Sequence, residues 1–366
     1  MRSAHNPLPR LAGLQSLAPA GRTPVAPLCA LLLAISCNGT SGTTDTAMAT
    51  ESNSGSTDAS QTSDTSTETS TETSTETSTS STGSTGSTGD TSGGMLGCPD
   101  DPAVCTREAL MISAAMLDTK LGAQDQLILD LRSPSAYASG HIPGALYFDS
   151  SSIRATVDGI GGQVADRATV EAALAAVGVS SSTDLIAYDG GSTQAAARLS
   201  WTLHYYGETD ALRVLDGGWT AWQAGAYEVS TEPETATPAT LTLTDGDPLY
   251  RVDAAWVNDH LNDPGVVLVD ARSLSEYDNG HIPGAIHIPW ETNKGDNDTF
   301  LADTALRALY EADAVINADT VVSYCQTGSR ASVTWFAGML LGHSDVRLYD
   351  GSWSEWGNDP DLPKEP

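Results

Sequence analysis

Cys325 stands where a β-forming run ends. Thr320, Val321, Val322, Ser323 and Tyr324 lead into it, the polar turn Gln326-Thr327-Gly328-Ser329 follows, and Arg330 opens a helix-forming stretch. A thiol is a strong nucleophile only as its thiolate, and thiolates form where the local charge is positive. A tight turn feeding a helix supplies such a place: its N–H groups converge, and the helix dipole adds to them. Gly328 lets the backbone curl, Thr327 and Ser329 offer hydroxyl donors, and Arg330 brings a full charge. The pattern suits an anionic sulfur, or a persulfide built on it. A small apolar cysteine packed in a core is the alternative, and the polar, turn-forming residues after Cys325 argue against it.

The elements that must position this loop are written twice. Residues 127–149, "LILDLRSPSAYASGHIPGALYFD", align without gaps with residues 267–289, "VLVDARSLSEYDNGHIPGAIHIP", and are identical at eleven of 23 positions. A second pair, 185–207 with 321–342, matches more loosely, and a third, "LDGGWTAW" with "YDGSWSEW", closes each unit. Three matches in one order mean two copies of one domain. The polar, proline-containing stretch 229–248 reads as the linker between them.

Within each copy, short apolar runs ("QLILDL", "GVVLVDA", "DLIAYD", "TVVSYC") alternate with helical periodicity ("ATVEAALAAVG", "ADTALRALYEA"). Such alternation predicts an α/β fold, a mainly parallel sheet flanked by helices. Ligands of such sheets sit at the carboxyl ends of strands, where Cys325 lies.

On "VDARSLSEYDNGHIPGAIHIP", "YCQTGSRAS" and "YDGSWSEW", with their counterparts in the first copy, the chain resembles the tandem-domain rhodanese-like sulfurtransferases over roughly residues 107–358. The resemblance implies a non-catalytic domain at 97–228 and a catalytic one at 249–366. Asp189 stands in the first copy where Cys325 stands in the second, and an aspartate cannot take up sulfane sulfur. The implied reaction has two steps. Cys325 takes the outer sulfur of thiosulfate as a persulfide, then passes it to cyanide, a thiol or a protein. No cofactor or metal is required. Gln326, Thr327, Gly328, Ser329 and Arg330 would bind the donor, and Arg198 matches an arginine that the family's first domain brings to the site mouth. Asp270 and Arg272 look structural, an ion pair echoed by Asp130 and Arg132. His141 and His281 are not read as acid–base groups, because "GHIPGA" occurs in both copies and only one has the cysteine. The four tryptophans Trp219, Trp222, Trp353 and Trp356 read as packing.

The loop resembles thiosulfate-type bacterial enzymes more than mercaptopyruvate-type ones, and 3-mercaptopyruvate sulfurtransferase is the runner-up. A non-catalytic persulfide carrier or binding module is a third reading. Phosphatases of related fold place five residues between cysteine and arginine; here four separate Cys325 from Arg330.

The chain has 366 residues and a net charge of −30, which repels phosphate backbones and argues against a nucleic-acid partner. Residues 38–96 are almost wholly Ser, Thr, Gly, Asp and Glu, too polar to form a core, and read as a disordered tether. Residues 1–37 place arginines before the apolar run "VAPLCALLLAISC", which is too short to span a membrane and reads as a signal peptide. Its end resembles a bacterial lipoprotein signal. Cys37 would then be lipidated, anchoring an exported protein to a membrane of the cell envelope, on its periplasmic or cell-surface side. An ordinary secretory signal is the alternative. Cys98 and Cys105 could pair as a small disulfide in an oxidising compartment.

Overall fold

The computed structural model describes residues 102–209 and 212–366, with side chains from Thr106 onward. The first repeat contains β1 (Met111–Ile112), β2 (Gln126–Asp130), β3 (Ala145–Tyr147), β4 (Arg154–Val157), β5 (Ile160–Val164), β6 (Asp184–Tyr188) and β7 (Leu212–Leu215). The second contains β8 (Arg251–Val252), β9 (Val266–Asp270), β10 (Ile286–His287), β11 (Thr320–Tyr324) and β12 (Val346–Tyr349).

Both main sheets are parallel and have the same topology. The first runs β1-β7-β6-β2-β3, and the second, read from its opposite edge, β10-β9-β11-β12-β8. The central strands are buried on both faces, as continuous apolar runs require: β11 is buried at every residue. Register places Asp130 beside Tyr188 and Asp270 beside Tyr324, so the two copies set the same pair at the same height. The periodic segments form helices over Arg167–Ala176 and Asp303–Glu311, as expected.

The repeats share one core. The Gln194–Tyr205 helix of the first packs on the Ser329–Leu340 helix of the second, with Trp201, Trp335, Phe336 and Phe300 in a common buried cluster. Polar exchange is reciprocal: the Val164 amide donates to Asp350 at 2.8 Å, and the Phe300 amide donates to Asp216 at 2.8 Å. The Cys325 loop is therefore closed on one side by the other repeat.

Two features go beyond the sequence reading. The linker stretch 229–248 is fastened to the first repeat. Ser230 pairs with His141 as a β-bridge, Leu241 and Leu243 are buried, and Thr244 Oγ1 donates to the Tyr206 carbonyl at 2.9 Å. Alternation of leucine with threonine in "TLTLT" gives one buried and one wet face despite the polar composition. The second feature is the antiparallel β4–β5 hairpin, inserted between β3 and the following helix. The expected signal peptide (1–37) and tether (38–96) lie outside the described residues, as do Cys37 and Cys98 and the side chain of Cys105.

Candidate active site

Cys325 directly follows β11 at the carboxyl edge of the sheet, and is 1% exposed. Its loop is held from outside by the "YDGSW" segment. The carbonyls of Cys325 and Gln326 accept from the amides of Trp353 and Ser354, each at 3.0 Å, and the Cys325 amide donates to Ser352 Oγ at 3.2 Å. Gln326 Nε2 adds a bond to Ser354 Oγ at 3.2 Å. With its carbonyls engaged, the turn curls through Gly328 at φ +81° into the Ser329–Leu340 helix, which no side chain caps. The first-turn amides of an uncapped helix are donors in want of an acceptor.

The first repeat shows what such a turn holds. There the Asp189 carboxylate accepts from the amides of Gly191 (3.0 Å), Thr193 (2.8 Å) and Ala195 (3.0 Å) and from Ser192 Oγ (3.2 Å). The Trp219 amide holds its carbonyl at 2.9 Å, as the Trp353 amide holds that of Cys325. The turn is an anion cradle, filled in one repeat by the chain's own carboxylate and headed in the other by a thiol.

Four arginines surround the cysteine loop. Arg330 makes a bidentate pair with Glu276, both contacts at 2.7 Å. Its basicity is raised first by those hydrogen bonds, against the opposing effect of burial, and then by the nearby Cys325 sulfur. Glu276 is pushed down to about 2, chiefly by the Arg330 hydrogen bonds.

Arg198 lies buried against the loop backbone. A Cβ on Gly328 would stand 2.6 Å from its Nη1, and its Nη2 is 2.6 Å from Asp350 Oδ1. It therefore sits behind the turn, ion-paired, rather than open at the mouth. Arg251 approaches Asp350 Oδ2 at 3.5 Å from the solvent side. Arg154, at the start of β4, reaches across from the first repeat and donates to Ser329 Oγ at 2.6 Å. Its hairpin lies directly on the loop: a Cβ on Gly162 would come within 3.1 Å of Thr327 Cβ. Arginines thus concentrate positive charge at one point of a strongly acidic chain.

Behind the loop, Asp270 and Arg272 form a buried fork with contacts of 2.6 to 3.0 Å, and Arg272 also donates to the Gly280 carbonyl at 2.8 Å. The guanidinium stacks 4.4 Å from the Trp353 ring, tying this brace to the segment that holds the Cys325 carbonyl. Asp130, Arg132 and Trp219 repeat the arrangement, with the stack at 4.0 Å. His141 and His281 each stack on the tyrosine four residues earlier and bond its carbonyl, at 3.0 and 3.1 Å, which makes them structural. Trp222 and Trp356 are fully buried core.

The structure thus brings Cys325, Gln326, Thr327, Gly328, Ser329, Arg330 and Arg198 together, with Asp270 and Arg272 bracing them. Reading the sequence missed Arg154, Glu276, Asp350 and Ser352. Asp350 and Ser352 lie in the quoted "YDGSW" motif, and Glu276 completes a Ser273–Glu276 capping box whose S-x-x-E pattern is visible in the chain.

Comparison with known proteins agrees with this architecture. The rhodanese-like domain family matches residues 113–225 and 253–359. The chain is 30% identical over 279 residues to a putative thiosulfate sulfurtransferase of Saccharopolyspora erythraea, covering 71% of this chain and 97% of that one. It is 33% identical over 281 residues to a probable 3-mercaptopyruvate sulfurtransferase of Pseudomonas aeruginosa, covering 70% and 97%, and 30% identical over 266 residues to a thiosulfate sulfurtransferase of the same organism, covering 70% and 97%. Among solved structures, the anaerobic ergothioneine biosynthesis enzyme of Chlorobium limicola superposes with a TM-score of 0.64 at 24% identity, covering 71% of this chain and 70% of that one, and shares the fold. With two matching domains in tandem and sulfurtransferases as relatives over nearly their whole length, the chain belongs to the rhodanese-like family.

Proposed function

We propose that the chain is a thiosulfate sulfurtransferase that works through a persulfide on Cys325. The Cys325 thiolate attacks the outer sulfur of thiosulfate, the sulfur–sulfur bond of the donor breaks, and the electron pair leaves with sulfite. A thiophilic acceptor (cyanide, a thiol or a protein) then attacks the outer persulfide sulfur and restores the thiolate. The observation that carries this reading is the pair of twin turns: Asp189 fills its cradle with a negative charge, and Cys325 heads the corresponding turn where a persulfide anion would take that place. The amides of the 326–331 turn would hold the sulfur, and Arg198 and Arg330 would keep the loop curled around it.

The test is intact mass of the folded region after thiosulfate, then after cyanide. A gain of one sulfur that Cys325→Ser abolishes, and that cyanide removes as thiocyanate, is the expected result. Loading by 3-mercaptopyruvate alone moves the protein to that donor. Loading by neither overturns the enzymatic reading in favour of a binding module. The domain assignment that goes with this reading is 97–228 as the non-catalytic partner and 249–366 as the catalytic unit. Export through residues 1–37, with Cys37 as a lipid anchor and 38–96 as its tether, is part of the same proposal. Mass analysis of the membrane fraction for a diacylglyceryl Cys37 tests it.

A further inference from the structure

Arg154 stands apart from the other cations of the site. Arg330 has Glu276, and Arg198 and Arg251 share Asp350. Arg154 is half-buried, and among the described residues no carboxylate forms an ion pair with it; it donates instead to the neutral Ser329 hydroxyl. A guanidinium has five N–H donors, so most of this fork is uncommitted. Arg198 is near enough to repel it: Arg154 is held down to about 10, first by burial and then by the Arg198 charge, with Asp350 and the Cys325 sulfur offsetting part of this. Arg198 has Asp350 to answer its charge and stacks on the Trp201 ring at 4.4 Å, so it is Arg154 whose donors lack an anion.

The other repeat supplies the comparison. Arg154 follows the short 3-10 helix Ser150–Ile153, and Lys294 follows the equivalent Trp290–Asn293. Each crosses to the turn of the opposite repeat. Lys294, over the turn that carries no thiol, is satisfied by protein, donating to the Gly191 carbonyl and pairing with Asp298 at 3.4 Å. Arg154, over the turn that carries Cys325, has no such carboxylate.

We propose that Arg154, contributed by the non-catalytic repeat, forms the seat for the anionic end of the sulfur donor, the sulfonate of thiosulfate. This rests on the sulfurtransferase reading. As Cys325 sulfur bonds to the outer sulfur and the donor's sulfur–sulfur bond breaks, the electron pair moves onto the departing sulfite. Arg154 is placed to offset that growing charge. It acts in the loading step and has no role in discharge to a neutral acceptor.

The test separates the half-reactions. Arg154→Gln removes the charge and keeps a hydrogen-bonding side chain toward Ser329. Persulfide loading by thiosulfate should slow by roughly ten- to a hundredfold, the usual weight of a charge-assisted contact. Discharge of the preloaded persulfide by dithiothreitol, a neutral acceptor, should change by less than about threefold. Loading at the wild-type rate overturns the inference. So does an equal fall in both half-reactions, which marks Arg154 as general support for the loop. Should Arg154→Gln not fold, Arg154→Lys keeps the charge but loses the fork; its inhibition by sulfite should weaken several-fold, and unchanged inhibition overturns the proposal. If the wild type loads only from 3-mercaptopyruvate, the thiosulfate reading fails while the same comparison is made with that donor's carboxylate. Wild-type loading from neither donor overturns both.

Discussion

Asp189 and Cys325 are counterparts: each ends a central strand, each follows a buried tyrosine, and each opens a turn whose carbonyl is held by a tryptophan amide. Asp189 spends its carboxylate on the cradle itself, and that makes the first repeat's turn a structural clamp. Asp189→Ala removes the acceptor of three amides and one hydroxyl. Water replaces only part of it at a site 5% exposed. Urea unfolding should show a loss of about 2–4 kcal/mol, while Cys325 in the remaining folded fraction still accepts sulfur. A loss below about 0.5 kcal/mol would mean the cradle holds its shape without an anion.

Much of this was legible in the chain because it is local. The strand–loop–helix around Cys325, the D-x-R spacing that folds Arg272 back onto Asp270, and the duplicated order of strands all follow from residues near one another. Arg154 was not legible. Its hairpin carries a signal, Asp158-Gly159 between β-forming residues, and both take positive φ there. That signal predicts a hairpin but not the reach of Arg154 to Ser329, which depends on how two repeats pack. Arg330 was expected to help hold an anionic donor with its full charge. Its pairing with Glu276 joins the start of the Ser329–Leu340 helix to a capping box on another element, and no spacing encodes that meeting.

Glu276 gives the fold a pH signature. Its carboxyl falls from an ordinary 4.5 to about 2, mainly through Arg330. A depressed carboxylate contributes stability that is fully present above its unfolded value and is lost as pH falls through the folded one. The contribution should fade from about 4.5 down to about 2. Wild-type urea midpoints should therefore drop more steeply between about pH 5 and about pH 3 than those of Glu276→Gln. Parallel curves for the two proteins would show that the pair adds nothing to stability.

Arg272 braces the loop from behind, and its removal strands Asp270 in the core. Both side chains are essentially inaccessible. Arg272→Leu leaves an unpaired buried carboxylate, a loss on the order of 3–5 kcal/mol. The double change Asp270→Asn with Arg272→Leu should recover part of that stability, because no lone charge remains. A double variant as unstable as the single one would assign the loss to the lost Trp353 stack and the Gly280 contact instead.

Gly328 makes the sharpest test of the cradle geometry. Its φ of +81° is strained for any residue with a Cβ, and an alanine there would press on Arg198 Nη1 at 2.6 Å and Asp350 Oδ1 at 3.1 Å. The loop then unwinds or pushes Arg198 away, and either movement displaces the first-turn amides proposed to hold the sulfur. Gly328→Ala should cost about 1–3 kcal/mol of stability and slow persulfide loading at least about tenfold at saturating thiosulfate. The two effects need not travel together: a folded Gly328→Ala protein that loads at the wild-type rate would mean that the turn's curvature serves the packing of Arg198 and not the chemistry of Cys325.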